Sequence, residues 1–219
     1  MSGIFDALGE PVAQRVTGGL ATIGQVLKSQ AWKGAGPAGV TPTQAQALRV
    51  LRERPGTGLG ALAGLLGVSA PTASTAVNTL VTKGLVVKEP GPDRRSITLR
   101  LTAAGEEVAD RAAEWPAVLV RAVDALDPAE QTALLRSLVT LVRALQEAGE
   151  ISPQRMCVTC RHFRPHVHAD PRNPHHCAFV DEPFGDRHLR LDCAEQEEAA
   201  PEDRRAAWER FTSPDTAPR

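Results

Sequence analysis

The chain has 219 residues, of which 42% are hydrophobic and 23% charged, with a formal net charge of −1 and a pI near 6.6. That length holds one medium core plus an appendage. No apolar run is long enough to span a bilayer, and the N-terminus (MSGIFDALGEP) has no basic region ahead of an apolar core, so neither a membrane span nor a secretory signal is expected and a bacterial cytoplasmic location is.

In chain order, Val12, Val16, Leu20, Ile23 and Leu27 recur at helical spacing, and a Gly- and Pro-rich break follows from Lys33 to Gly39. Thr41, Pro42 and Thr43 offer an N-cap with proline in the first turn. Ala45, Leu48 and Leu51 then share a helical face until Arg54, Pro55 and Gly56 end it. A second short helix is expected from Gly58 to Leu66, stopped by Gly67, and Ser69 caps a third from Ala70 to Lys83. Its apolar positions are Ala73, Ala76, Val77 and Leu80, while Thr72, Ser74, Thr75, Asn78 and Thr79 fall on other faces. Leu85 to Glu89 and Ser96 to Leu101 read as strands around the turn residues Pro90 to Asp93. Two short helices, a capped third and a hairpin with Arg94 and Arg95 at its tip describe a winged helix-turn-helix over 41–101, and so DNA binding.

The run Ser69 to Leu85 (SAPTASTAVNTLVTKGL), followed by Asp93, Arg94, Arg95 and then Leu101-Thr102-Ala103-Ala104-Gly105, resembles the MarR family of bacterial transcription regulators over roughly residues 11 to 149. The resemblance implies that the third helix enters the major groove through Thr72, Ser74, Thr75 and Asn78, with Lys83 nearby. It implies that Arg94 and Arg95, oriented by Asp93, reach an adjacent minor groove or its phosphates. The family often carries arginines where this chain has Thr75 and Thr79, so fewer phosphate anchors are expected there.

Charge points the same way. Residues 41–101 hold eight basic and three acidic side chains, a net of +5, whereas residues 102–150 hold four basic and nine acidic. A positive field confined to one segment suits a nucleic-acid contact better than an evenly solvated surface does.

Beyond the wing, Thr102 caps a long segment with Val108, Ala112, Trp115, Leu119, Ala122, Val123 and Leu126 on one face, bent at Pro116. Asp127-Pro128-Ala129-Glu130 opens a further helix that runs to Ala148 with Leu134, Leu135, Leu138, Leu141, Val142 and Leu145. The N-terminal segment (1–40) and the helices of 102–149 carry more apolar surface than a small winged domain covers, and a second copy is the simplest partner. In the resembled family these helices interleave, which implies a homodimer on double-stranded DNA with a pseudo-palindromic operator. Trp32 and Trp115 read first as core anchors and second as the lining of a pocket for a small-molecule or redox effector.

The C-terminal third departs from that family. After a linker at 150–156, all four cysteines appear as Cys157-x2-Cys160-x16-Cys177-x15-Cys193. Reduced cytosolic thiols at this spacing point to a metal. Residues 157–198 have few core residues beyond Phe163, Phe179, Val180, Phe184, Leu189 and Leu191, and structural zinc can contribute about 10–16 kcal/mol in finger peptides. Zinc on Cys157, Cys160, Cys177 and Cys193 is the first expectation and an iron–sulfur cluster the second, since the spacing loosely resembles high-potential iron–sulfur proteins. The histidines His162, His166, His168, His175, His176 and His188 are expected on the surface beside an all-cysteine site, the alternative being a mixed site in which one of them replaces a cysteine. Residues 199–219 read as a docking helix, Pro201 to Phe211, and a tail.

Enzyme signatures are missing. Gly34 to Gly39 (GAGPAG) follows a helix rather than a strand, and no phosphate-binding loop, zinc-protease or nucleophile-elbow motif occurs. The expected fold class is mainly α with a small β wing, and the expected function a dimeric transcription regulator, of repressor type, that is not an enzyme. The competing reading is a metal- or iron–sulfur-dependent redox protein that uses the winged helix for protein contacts.

Overall fold

The computed structural model describes residues 10–35, 39–91, 96–112 and 117–213. The chain divides into two compact units, Met1–Ala122 and Val123–Arg219. No single helix among the described residues is long and apolar enough to cross a membrane.

The first unit begins with α1 (Val12–Ala35), followed by α2 (Pro42–Glu53), α3 (Leu59–Leu66) and α4 (Ala70–Thr82). Strands β1 (Val86–Pro90) and β2 (Ile97–Leu101) pair antiparallel from Val86 opposite Leu101 to Pro90 opposite Ile97, and α5 (Ala103–Ala112) comes next. The expected elements are present for the expected local reasons. Thr41 and Gln44 close a capping box at the start of α2, and Gly67 takes φ +63° to end α3. The Ser69 hydroxyl accepts from the Thr72 amide to start α4.

Leu48, Leu51, Leu62, Leu80 and Leu99 are almost wholly buried in one core that joins α2, α3, α4 and the sheet. Each such side chain stabilises the unit by roughly 1.5–3 kcal/mol. One strand contact lay outside the periodicity argument. Gly58 bridges to Thr98, and the Gly56 amide and Thr57 carbonyl bond Leu99, so the turn before α3 forms a third edge to the wing.

A short helix, α6 (Ala117–Asp124), spans the division in sequence. Trp115 and Pro116, where a bend was expected, lie outside the described residues. Trp32 is 59% exposed, which overturns its reading as a core anchor. Val12, Val16, Leu20, Ile23 and Val26 are exposed along α1 with it.

The second unit opens with α7 (Pro128–Glu147), whose Asp127–Glu130 capping box and Pro128 match the sequence signals. A 3-10 turn at Cys157–Thr159 leads to β3 (Phe163–Arg164), β4 (His175–Cys177) and β5 (Glu182–Phe184), an antiparallel sheet in that order. After a turn at Asp186–His188 the described chain ends in α8 (Pro201–Thr212). Val139 of α7, Met156, Val158, Phe163, Leu189 and Phe211 form one core, with Leu135, Val142 and Trp208 against it. The cysteine-bearing segment therefore shares its core with α7. The compact units divide at Ala122, not at 150–156, because the apolar face of α7 is what this segment packs on.

Candidate nucleic-acid interface and cysteine site

On α4 the residues Thr72, Thr75 and Asn78 are exposed and Ser74 is half-buried, while Ala73, Ala76, Val77 and Leu80 hold the helix to the core. The threonines return their hydroxyl protons to their own helix. Thr75 Oγ1 donates to the Pro71 carbonyl at 3.0 Å, Thr79 Oγ1 to the Thr75 carbonyl at 3.0 Å, and Thr82 Oγ1 to the Asn78 carbonyl at 3.0 Å. Their hydroxyl oxygens remain acceptors.

Asn78 is oriented from the wing. Lys88 Nζ, on β1, donates to Asn78 Oδ1 at 2.8 Å. Nothing in the local sequence marks Lys88 as part of this face, and only the antiparallel register brings it beside α4. Lys83 Nζ donates to the Gly39 carbonyl, which fixes that cation at the foot of the same helix. The hairpin is closed by the Gly91 amide donating to the Ser96 carbonyl at 2.8 Å. Asp93, Arg94 and Arg95 lie outside the described residues. Arg100 and Glu89 pair across the strands at 3.0 Å, and Arg52 pairs with Asp110, which reduces the free positive charge of the segment.

In the second unit all four cysteines are free thiols and line one cavity of about 180 Å³. Cys157 opens the 3-10 turn, Cys160 follows it, Cys177 ends β4 and Cys193 lies on the stretch before α8. Burial pushes the Cys157 thiol up to about 11; the Arg190 amide opposes this and the other three cysteines reinforce it. The Arg190 amide donates to Cys157 Sγ at 3.3 Å, its guanidinium Nη1 to Cys193 Sγ at 3.8 Å, and the His162 amide to Cys160 Sγ at 3.5 Å.

The histidines are not simply solvated. His175 is fully buried, and its Nε2 bonds Asp186 Oδ1 at 2.7 Å while Arg136 of α7 bonds Asp186 Oδ2 at 2.8 Å. Its Nδ1 accepts from the His166 amide at 3.3 Å, and the His166 and His175 rings lie 4.7 Å apart. His176 pairs with Asp181 at 3.2 Å. The expectation of surface histidines thus fails at His175, since a fully satisfied polar group can be buried.

Asp186 also gives a pH prediction. Burial alone would raise its carboxyl, but the His175 hydrogen bond and Arg136 outweigh this and hold it below its ordinary 3.8. A lowered folded-state pKa contributes stability that is fully present above pH 3.8 and is lost as pH falls through the lowered value. Asp186→Asn is expected to cost about 1–3 kcal/mol at neutral pH, because His175 and Arg136 lose an anionic partner. It should also flatten the acid limb of stability. Equal melting of both proteins at pH 7 would contradict this.

Residues 38–96 match the model of the MarR family. A MarR-family transcriptional regulator from Silicibacter pomeroyi is 29% identical, with 57% of this chain and 83% of that one covered and a TM-score of 0.50. Streptococcus pneumoniae FabT, solved in complex with DNA, is 20% identical, with 62% and 99% covered and a TM-score of 0.54. A MarR transcriptional regulator from Methanosarcina mazei is 21% identical over the same shares, with a TM-score of 0.52. None of the curated proteins matches the chain. FabT and the Methanosarcina mazei protein are covered almost end to end by 62% of this chain, so more than a third of it lies outside the likeness. Over residues 38–96 the chain is thus similar in sequence to the MarR family, and the described part of its first unit has the winged helix-turn-helix fold of these solved structures.

Proposed function

We propose that the protein is a homodimeric, sequence-specific DNA-binding transcription regulator of repressor type, with a thiolate-bound metal in its C-terminal unit that stabilises it or senses metal or redox state. The observation that carries this reading is the face of α4, where Thr72, Thr75 and Asn78 stand exposed along a capped helix and Lys88 reaches in from the wing. Short hydrogen-bonding side chains on a core-anchored helix are suited to base edges in a major groove, and threonine methyls to thymine methyls.

A dimer follows from α1, whose exposed Val12, Val16, Leu20, Ile23 and Val26 form an apolar stripe on one protomer. An effector site remains part of the reading, carried by Trp32, which that stripe leaves open to a ligand or to the partner.

The test is a binding titration on the DNA upstream of the protein's own gene over a range of salt. Arg95→Ala is expected to weaken binding by about 1–3 kcal/mol if the side chain reads a base, or to lower the salt slope by about one unit if it contacts phosphate. Identical affinity and slope in the variant would remove the wing from the interface. A monomeric protein with no sequence-preferring complex would overturn the whole reading.

A further inference from the structure

The four thiols line one cavity that is partly open to solvent. A zinc ion bound by four thiolates at about 2.3 Å holds the sulfurs at the corners of a tetrahedron with edges of about 3.8 Å, and nothing further fits inside. Here the four cysteines line a cavity of about 180 Å³, larger than the roughly 150 Å³ hollow that admits benzene. Among the described residues no three His, Cys, Asp or Glu side chains converge closely enough to hold a single ion.

Donor chemistry narrows what fills that space. Thiolates select soft metals, and zinc and iron–sulfur clusters are the groups that four thiolates commonly hold. The walls between the cysteines are largely apolar, with Phe163, Phe179, Val180 and Phe184 among them. Phe163 is 4% exposed and packed into the core, whereas Phe179 and Val180 are about half exposed and edge the cavity. Such walls, which Glu182, His188, Arg190 and Glu195 complete, would limit the access of water to a polynuclear core, while a closed zinc tetrahedron has no need of them. Three N–H groups also point at sulfur, from the Arg190 amide to Cys157, the Arg190 guanidinium to Cys193 and the His162 amide to Cys160. Hydrogen bonds to sulfur lower the charge on thiolates and tune the potential of a cluster.

We propose that this cavity holds an iron–sulfur cluster, bound by Cys157, Cys160, Cys177 and Cys193, in place of a single zinc ion. The proposal deepens the reading of the C-terminal unit as metal-bearing, and is independent of whether the winged unit binds DNA. Each thiol gives up its proton on ligation, with iron and inorganic sulfide drawn from solution.

The test uses the full chain expressed with ample iron and purified without oxygen. The expected product is brown, with broad visible absorption and iron and acid-labile sulfide in equal amounts, at least about two of each per chain. Cys177→Ala should lose both iron and sulfide, whereas Arg205→Ala, on α8 and away from the cavity lining, should retain them. A colourless protein with about one zinc per chain and no sulfide would overturn the cluster while leaving a metal-bearing unit. A colourless, metal-free protein that stays folded, and that takes up neither iron with sulfide nor zinc, would overturn both.

Discussion

Phe211→Ala is expected to cost the second unit about 3–5 kcal/mol. Phe211 is wholly buried at the end of α8, with three rings and a guanidinium packed around it. Its ring centroid lies 5.8 Å from Phe163, 5.5 Å from His175 and 5.5 Å from Trp208, and the Arg136 guanidinium stacks on it at 4.2 Å while donating to the Phe211 carbonyl at 2.8 Å. Truncation removes the transfer free energy of the ring and leaves a hollow that those partners, held by their own bonds, cannot fill. It also exposes a flank of the His175–Asp186–Arg136 network. The check is denaturant unfolding of the full chain, with Phe211→Leu as the milder comparison. A loss below about 1 kcal/mol would mean that α8 is a peripheral helix and not part of the core.

That prediction could not have been made from periodicity. The helix from Pro201 is present as expected, and Phe163 and Leu189 are buried as expected of core residues, whereas Phe179 and Val180, expected in the same core, are more than half exposed. What periodicity missed was the polar share of that core. Arg136 and Arg143 lie on the inward side of α7, the latter with its guanidinium 4.0 Å over Trp208, and His175 sits on a two-stranded register that no spacing rule describes. A hydrophobic pattern marks which residues leave water easily, while buried arginine and histidine depend on partners far away in sequence, such as Asp186 fifty residues beyond Arg136.

The winged unit was more legible because its signals are local. The Thr41–Gln44 box, Gly67, Ser69 and the antiparallel strands each act within a few residues, and each is present. Local rules failed at the long-range joins. The bridge from Gly58 to Thr98 and the reach of Lys88 to Asn78 are products of tertiary packing. At the cysteines, spacing does not reveal that all four line one cavity, which is a property of how β4 and the loop before α8 are placed.

The root of the wing gives the second large effect. Gly105→Ala should destabilise the first unit by about 3 kcal/mol, the upper end of what overpacking usually costs. A Cβ built on Gly105 would stand 2.0 Å from the Leu85 carbonyl oxygen and 3.0 Å from its carbon, both backbone atoms that cannot swing aside. That carbonyl is already engaged by the Thr102 amide at 3.1 Å, and the Thr102 hydroxyl spans the same corner, donating to the Gly84 carbonyl at 2.7 Å and accepting from the Gly105 amide at 3.0 Å. Relief of the clash requires the first turn of α5 to lift from the start of β1. This breaks the Thr102 cap and loosens Leu85 and Leu101, which are both in the core. Because β1 carries Lys88 to Asn78, DNA affinity should fall along with stability. Gly60→Ala supplies the control, since a Cβ there meets nothing within 4 Å in the first turn of α3 and is expected to stabilise by roughly 0.4–1 kcal/mol. If both substitutions shift the unfolding midpoint in the same direction, the close approach at Gly105 is not what holds the wing to the helix behind it.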